Sequence, residues 1–295
     1  MTPLLLGLIG LLLAGPVPAV LGRSRWLLPT PRAGVVLWQS LALAAVLAII
    51  GAGFATTVWM ISNGQTGPFM VAAHVVVIGL TSIVVVRLAW ASAQVALDTR
   101  ARRRRHRDLV DVLGDRDGTE PGLRILAHDT PMAYCLPALG KNRVVVSAGA
   151  LSRLAGPELE AVFAHEQAHV RARHDLVLEA FSALHTAFPR GVRSKEPLLQ
   201  AQLMVEMLAD DAARSRAGAG PLARALVALA GQSTPAGALG VATGSVALRL
   251  ERLAAPVHER RVRSAAAYML AVAVLVLPTV FLAVPWMIDA WALLS

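Results

Sequence analysis

The chain has 295 residues, of which 56% are hydrophobic and 16% are charged, and its mean hydropathy of +0.58 is too high for a soluble enzyme of this size or for a disordered chain. Its single cysteine, Cys135, excludes an internal disulfide framework. The formal net charge of +9 indicates positively charged cytoplasmic loops of a membrane protein, so we expect no direct nucleic-acid binding.

Four apolar runs are long enough to cross a bilayer as helices. A hydrocarbon core of about 30 Å requires about 20 helical residues, and runs of that length lie at about residues 3–21, 34–60, 69–90 and 265–286. A polar turn around Asn63 separates the second run from the third. We therefore predict three transmembrane helices within residues 1–99 and a fourth within residues 263–295, all in contact with the lipid bilayer. A cleaved signal peptide is the alternative for the first run, but that run has no basic n-region.

The positions of the arginines predict how these helices are oriented. Arg23, Arg25 and Arg32 follow the first run, the basic segment 100–107 follows the third, and further arginines precede the fourth. All of them lie on one side if both termini are outside and residues 100–262 are cytoplasmic. Directly after a span, the basic segment is expected to anchor on anionic lipid rather than on nucleic acid. The predominance of arginine over lysine favours a bacterial source, and hence a multi-pass protein of a bacterial cell membrane.

Residues 100–262 have the mixed charged and apolar composition of a soluble domain. Short β-branched runs predict strands at 123–127 and Arg143–Ser147, with Ala133–Leu136 as a third candidate. Pro157 suits the first turn of a helix that we expect to run through at least Arg173, and a second helix is predicted at 198–217. The fold class is therefore a mainly α membrane protein with a cytoplasmic α+β domain between the third and fourth transmembrane helices.

The first of these helices carries His165-Glu166-Gln167-Ala168-His169, an H-E-x-x-H motif. Residues four apart on a helix share one face, so both imidazoles can reach one metal ion while Glu166 stands beside the open coordination position. Two histidines on a helix surface beside an ion-pairing glutamate are the alternative interpretation. The apolar neighbours Phe163 and Val170 indicate partial burial, where unpaired polar groups would be costly. The pattern predicts one zinc ion per chain.

A hydrolytic zinc site needs a third protein ligand besides a water molecule. Metzincins continue as H-x-x-G-x-x-H, but this chain has Ala172 and Asp175 where that pattern requires glycine and histidine. Glu206 and Asp210, spaced E-x-x-x-D on the second helix, share one face. We predict that Glu206 is the third ligand and that Asp210 accepts the free ring N–H of a liganding histidine. An acidic surface patch that includes Asp211 is the alternative.

These segments resemble a known family of membrane peptidases. The sequence AHEQAHVRARHD at residues 164–175, followed by EMLADDAA at 206–213, is similar to the zinc peptidases of the BlaR/MecR antibiotic-sensor type and, more distantly, of the HtpX and CAAX-protease type. The resemblance extends to the stretch 133–151 and to the arrangement of spans around the protease domain. The antibiotic sensors carry an extracellular penicillin-binding domain after their last span, whereas this chain has only a few residues there, so we expect no β-lactam sensing by this chain alone.

The resemblance implies a gluzincin-like zincin fold in which His165, His169 and Glu206 bind zinc and Glu166 is the catalytic base. It also implies that the Ala133–Leu136 region begins the edge strand that holds an extended peptide. For Cys135 a buried structural role is favoured over contact with the metal. For His174 and Asp175 a structural role or contact with a ligand residue is favoured over direct metal binding. Arg249 and Arg252 are expected to brace the end of the domain.

Together these features predict an integral membrane zinc endopeptidase. Its substrate would be a cytoplasmic or membrane protein, and a transcriptional repressor in a signalling pathway is one candidate. The alternatives are a protease for quality control of membrane proteins and a non-catalytic signalling protein with a structural zinc site. The intact Glu166 argues against the non-catalytic alternative. The sequence does not indicate an oligomeric state.

Overall fold

The structure is a computed structural model of the chain. It describes residues 2–64, 67–116, 122–137, 143–188, 194–230, 246–254 and 260–294.

The described residues are mostly helical, with one small sheet. The helices are α1 Thr2–Ala14, α2 Pro16–Arg23, α3 Pro31–Ser62, α4 Pro68–Leu113, α5 Ala148–Arg153, α6 Gly156–Arg171, α7 His174–Ala187, α8 Glu196–Ala217, α9 Ala219–Ala228, α10 Val246–Ala254 and α11 Arg260–Leu294. The strands are β1 Gly114–Arg116, β2 Leu123–Leu126, β3 Ala133–Leu136 and β4 Arg143–Ser147.

The chain folds into two compact units. The first comprises Met1–Ala93, Phe181–Ala201 and Arg260–Ser295, and the second comprises Gln94–Ala180 and Gln202–Glu259. Residues 181–201 lie inside the stretch predicted as one continuous cytoplasmic domain, yet they belong to the first unit.

The first unit is built from long apolar helices, with α3 packed against both α1 and α11. Small residues allow these helices to approach closely: a side chain at Gly10 would meet Ile49, and one at Gly53 would meet Thr81. Close packing through small residues is typical of helices that associate within a membrane.

Four helical segments are long and apolar enough to cross a membrane: Leu4–Arg23, Pro31–Ile61, Pro68–Leu113 and Arg261–Val280. Many apolar side chains of α4 are exposed, among them Phe69, Val75, Leu80 and Val86. Exposed apolar surface of this kind marks contact with lipid or with another apolar partner, so these helices indicate membrane association. The first predicted span is not one continuous helix. It breaks at Gly15, between α1 and α2, and Pro16 begins the second helix.

The second unit contains a mixed four-stranded sheet in the order β1-β2-β4-β3. Strand β2 pairs with β4 in parallel, while the pairs β1–β2 and β3–β4 are antiparallel. Strands β2, β3 and β4 lie where the sequence predicts them. The sequence gives no signal for β1, which has only three residues, Gly114-Asp115-Arg116, and none of them is apolar or β-branched.

Side chains that alternate along the sheet pack against different helices. Ala133 and Val146 face a core that includes Val162 of α6 and Ala225 of α9, whereas Tyr134, Leu136 and Val145 form a cluster with Val110 of α4. Among the described strands β3 lies at one edge of the sheet. Helix α6 packs directly on β3, which brings the H-E-x-x-H helix next to this edge strand.

Candidate metal centre

Local sequence fixes the beginning of α6 but does not indicate its end. Pro157 occupies the first turn, and Glu158 accepts a hydrogen bond of 2.9 Å from the backbone N–H of Ala155, which satisfies a donor that no helical carbonyl can reach. The predicted continuation of this helix through Arg173 is wrong. The helix ends at Arg171, and Arg173 adopts a positive φ of 51°, a conformation that side chains other than glycine rarely adopt.

Helices α6 and α8 bring the three predicted ligands together. Nε2 of His165 lies 3.2 Å from Nε2 of His169. The carboxylate of Glu206 has one oxygen 3.4 Å from Nε2 of His165 and the other 3.4 Å from Nε2 of His169. All three residues are buried, so the acidic surface patch considered as an alternative is not what the structure contains at Glu206.

The spacing of these donor atoms fits a zinc ion. Ligands at about 2.0–2.1 Å from a tetrahedral zinc are separated by about 3.3 Å, which agrees with the separations of 3.2 and 3.4 Å found here. One ligand atom from each of the three residues lies within 4.8 Å of the others. Two imidazoles and a carboxylate are also the donor set of many catalytic zinc sites. The residues present therefore fit the metal that the sequence predicts.

Comparison with known proteins agrees with this geometry. The model of peptidase family M48 matches residues 97–264, which is more than half of the chain and includes all three candidate ligands. The chain belongs to peptidase family M48. No curated protein and no solved structure matches the chain significantly.

Members of family M48 are zinc metalloproteases. Membership therefore supports a metallopeptidase of the HtpX type, which is the more distant of the two resemblances drawn from the motifs.

Arg249 completes the site of this M48 peptidase, and sequence reasoning missed its role. Its guanidinium is fully buried. It donates hydrogen bonds of 3.0 Å to Oε2 of Glu206 and 2.7 Å to Oδ2 of Asp210, and a further one to Oδ1 of Asp210. Arg252, one turn further along α10, binds Asp211 through two bonds of 2.8 and 2.7 Å. Helix α10 thus holds the acidic face of α8 in place. The signal in the sequence that points to this role is the pair Arg249 and Arg252, three residues apart in an amphipathic segment.

Asp210 lies where it can influence His165. Its Oδ1 is 3.1 Å from Nδ1 of His165, although the ring N–H is not directed at that oxygen for a hydrogen bond. Burial by itself would lower the pKa of His165, but the carboxylates of Asp210 and Glu206 raise it to about 9. Burial would likewise raise the pKa of Asp210, but the hydrogen bonds from Arg249 and the neighbouring His165 lower it to about 2.

The other two candidate ligands are in the protonation states that metal binding requires. Burial lowers the pKa of His169 to about 3, so its ring is neutral at physiological pH. Burial would raise the pKa of Glu206, but His169, His165 and Arg249 together keep it below its ordinary value. Because a metal ligand must be deprotonated, both groups can bind a cation at neutral pH without losing a proton.

Glu166 is buried beside the three candidate ligands. Burial, together with the charge of Glu206, raises its pKa to about 7, although the adjacent His165 and hydrogen bonds from Cys135 act in the opposite direction. Its Oε2 has no hydrogen-bond partner among the described residues. An unpartnered buried carboxylate oxygen is costly, so this atom is available for a water molecule or a substrate group. A pKa near 7 also suits a group that takes and returns a proton at neutral pH.

His174 contacts His169 across the turn between α6 and α7. The two Nδ1 atoms are 3.1 Å apart, and the rings meet edge to face with centroids 5.0 Å apart. The left-handed conformation at Arg173 reverses the chain so that His174 returns to the motif helix. If Nε2 of His169 binds a metal, its Nδ1 carries the proton and donates a hydrogen bond to Nδ1 of His174, which would fix the orientation of the ligand ring.

Proposed function

We propose that this M48 peptidase is an integral membrane zinc-dependent endopeptidase that hydrolyses peptide bonds of a cytoplasmic or membrane protein. One observation carries the proposal: the buried donors of His165, His169 and Glu206 converge at tetrahedral spacing while Glu166 keeps an unpartnered oxygen beside them.

Each residue of the centre has a defined part in this proposal. His165, His169 and Glu206 would hold the ion, with Asp210 and Arg249 positioning His165 and Glu206. When bound, zinc acts as a Lewis acid toward water and the scissile carbonyl. Glu166 accepts the proton of the attacking water at its free Oε2 and delivers it to the leaving amine. An extended substrate would pair with the free edge of β3, next to Glu166, by main-chain hydrogen bonds.

The proposed location is the bacterial cell membrane. Four helical segments have the length and hydropathy of spans, and the arginines that flank them favour outside termini with the protease domain in the cytoplasm. The similarity of the motifs to those of the antibiotic-sensor peptidases supports a transcriptional repressor as a substrate in a signalling pathway.

The test of the activity uses the full-length protein purified in detergent. We expect about one zinc per chain by elemental analysis, together with cleavage of casein, an unfolded protein. Glu166→Gln should retain the zinc and lose at least 100-fold of the cleavage rate, because general base catalysis contributes about 10²–10⁴-fold. The matched control is Glu160→Gln, the same change at an exposed position of α6, which should leave the rate unaltered. Cleavage by Glu166→Gln at the wild-type rate would refute the proposal.

A further inference from the structure

A polar cavity lies in the same unit as the metal centre. It has a volume of about 280 Å³ and is lined by five arginines, namely Arg100, Arg103, Arg104, Arg107 and Arg173, which we call the arginine cavity. The first four recur at spacings of three and four along α4 and so share one face of the helix. Asp175 and Glu179 of α7 line the opposite wall.

The positive charge of the arginine cavity is only partly neutralised. Arg103 pairs with both lining carboxylates, at 3.0 Å from Asp175 and 2.8 Å from Glu179, and Arg173 lies 3.5 Å from Asp175. Arg100, Arg104 and Arg107 have no carboxylate within ion-pair distance anywhere in the described part of the chain. Arg107 is also half-buried. A guanidinium that is partly removed from water and unpaired binds an anion more strongly than an exposed one.

The cavity adjoins the groups proposed to act on the substrate. Two of its lining residues, Arg173 and Asp175, flank His174, whose ring contacts that of His169. On its other side the lining includes Pro137, which directly follows β3. Pro137 stands two residues beyond Cys135, the β3 residue that hydrogen-bonds Glu166. At about 3.3 Å per residue of strand, this places the cavity wall roughly 7 Å along the strand from the catalytic carboxylate.

We propose that the arginine cavity binds an aspartate or glutamate side chain of the substrate, two or three residues from the scissile bond. The inference rests on the proposed peptidase function and names the class of substrate that it prefers. A peptide paired with the edge of β3 would carry one of its side chains past Pro137 into the cavity. The cavity is lined by five arginines and only two carboxylates, so its positive charge exceeds its negative charge and favours a further carboxylate. Arg104 and Arg107 would bind the incoming carboxylate.

The test measures the preference of the zinc-loaded full-length protein in detergent for acidic peptides. A proteome-derived peptide library is digested, and mass spectrometry of the products should show aspartate and glutamate enriched at one position within three residues of the cut. From a cleaved sequence, a pair of reporter peptides is made that differs only in Glu or Gln at that position. The double variant Arg104→Gln/Arg107→Gln should lower kcat/KM about tenfold for the Glu peptide, the size expected for loss of a charged hydrogen bond, and leave the Gln peptide unaltered.

Arg153→Gln, an exposed arginine of α5, is the matched control and should retain the full preference. An unchanged Glu-to-Gln ratio in the double variant would overturn the inference. Native mass spectrometry of the double variant measures bound phosphatidylglycerol. If the variant loses this lipid while its Glu-to-Gln ratio is unchanged, the cavity binds a lipid headgroup and the inference is overturned.

A failure of the proposed function can be told apart from a failure of this inference. If the wild-type protein cleaves no peptide, the function fails, and binding of peptides to zinc-loaded Glu166→Gln protein still decides the inference. A fluorescent casein-derived peptide should then bind about tenfold more tightly than its copy with every Glu replaced by Gln, and this difference should disappear in the double arginine variant. Equal binding of the two peptides would overturn the inference.

Discussion

Arg249 donates a hydrogen bond of 3.0 Å to the Glu206 carboxylate, and both side chains are buried. The same guanidinium binds both oxygens of Asp210. A residue of α10 therefore supplies a positive charge that, together with the histidines, keeps the pKa of both carboxylates of α8 low.

Removing this charge should destabilise the second unit. Arg249→Met keeps the length and apolar stem of the side chain but leaves Glu206 and Asp210 without their counter-charge. Breaking a buried pair in this way costs about 3–5 kcal/mol. We expect a correspondingly lower free energy of unfolding for the metal-free protein, measured by denaturant titration, whereas the control Arg153→Met should change it by less than about 0.5 kcal/mol. Equal stability of the two variants would show that Arg249 does not compensate these charges.

Zinc uptake should release a proton. The pKa of His165 in the metal-free protein is about 9, so this ring is protonated below that pH and must lose a proton when Nε2 binds a metal. We expect release of about one proton per zinc at pH 7.5 and progressively less as the pH rises past 9. Calorimetric titration in two buffers of different ionisation enthalpy measures this number.

The proton release has its own control. In Asp210→Asn the ring of His165 loses the carboxylate that raises its pKa, so the number of protons released at pH 7.5 should decrease. An identical release from the variant and from the wild-type protein would contradict the role of Asp210.

Loss of His174 should weaken the metal centre without unfolding it. His174→Phe keeps an aromatic ring but removes the nitrogen 3.1 Å from His169. Loss of a group that orients a ligand typically costs 10–100-fold in metal affinity, and we expect an effect of that size in a chelator competition assay. Leu176→Ala, at a half-exposed position of the same helix, should leave the affinity unaltered. A normal affinity in the His174 variant would mean that the contact does not orient the ligand.

Gly149 should not tolerate a side chain. A Cβ atom there would collide with the carbonyl of Asp129, in the loop that Ser147 binds through Thr130 and Met132. Overpacking of this kind costs about 1–3 kcal/mol, so the thermal midpoint of Gly149→Ala should fall. At Gly156 a Cβ atom would meet nothing within 4 Å, and alanine should be tolerated there. A wild-type midpoint for Gly149→Ala would show that the loop can move aside.

The parts of the site that follow from local sequence could be predicted. His165 and His169 lie one helical turn apart, as do Glu206 and Asp210, so each pair appears as a short pattern that a helix must present on one face. Spacing within one helix does not show that α6 and α8 pack together. Only the resemblance to the peptidase family predicts that the two pairs converge on one site.

Other parts depend on contacts that leave no short-range pattern. Arg249 stands 43 residues after Glu206 and 39 after Asp210, and an arginine in a helix is ordinarily a solvated residue. The predicted end of α6 is wrong because arginine at position 173 gives no sign of its left-handed conformation, which glycine or asparagine would have signalled.

The position of α10 has a consequence for biosynthesis. Both histidines and both carboxylates leave the ribosome before Arg249 does, so a nascent chain that stops short of residue 246 carries every candidate ligand but lacks the cation that stabilises them. Assembly of a competent centre therefore waits until α10 has been translated, and products truncated before that helix are expected to be inert.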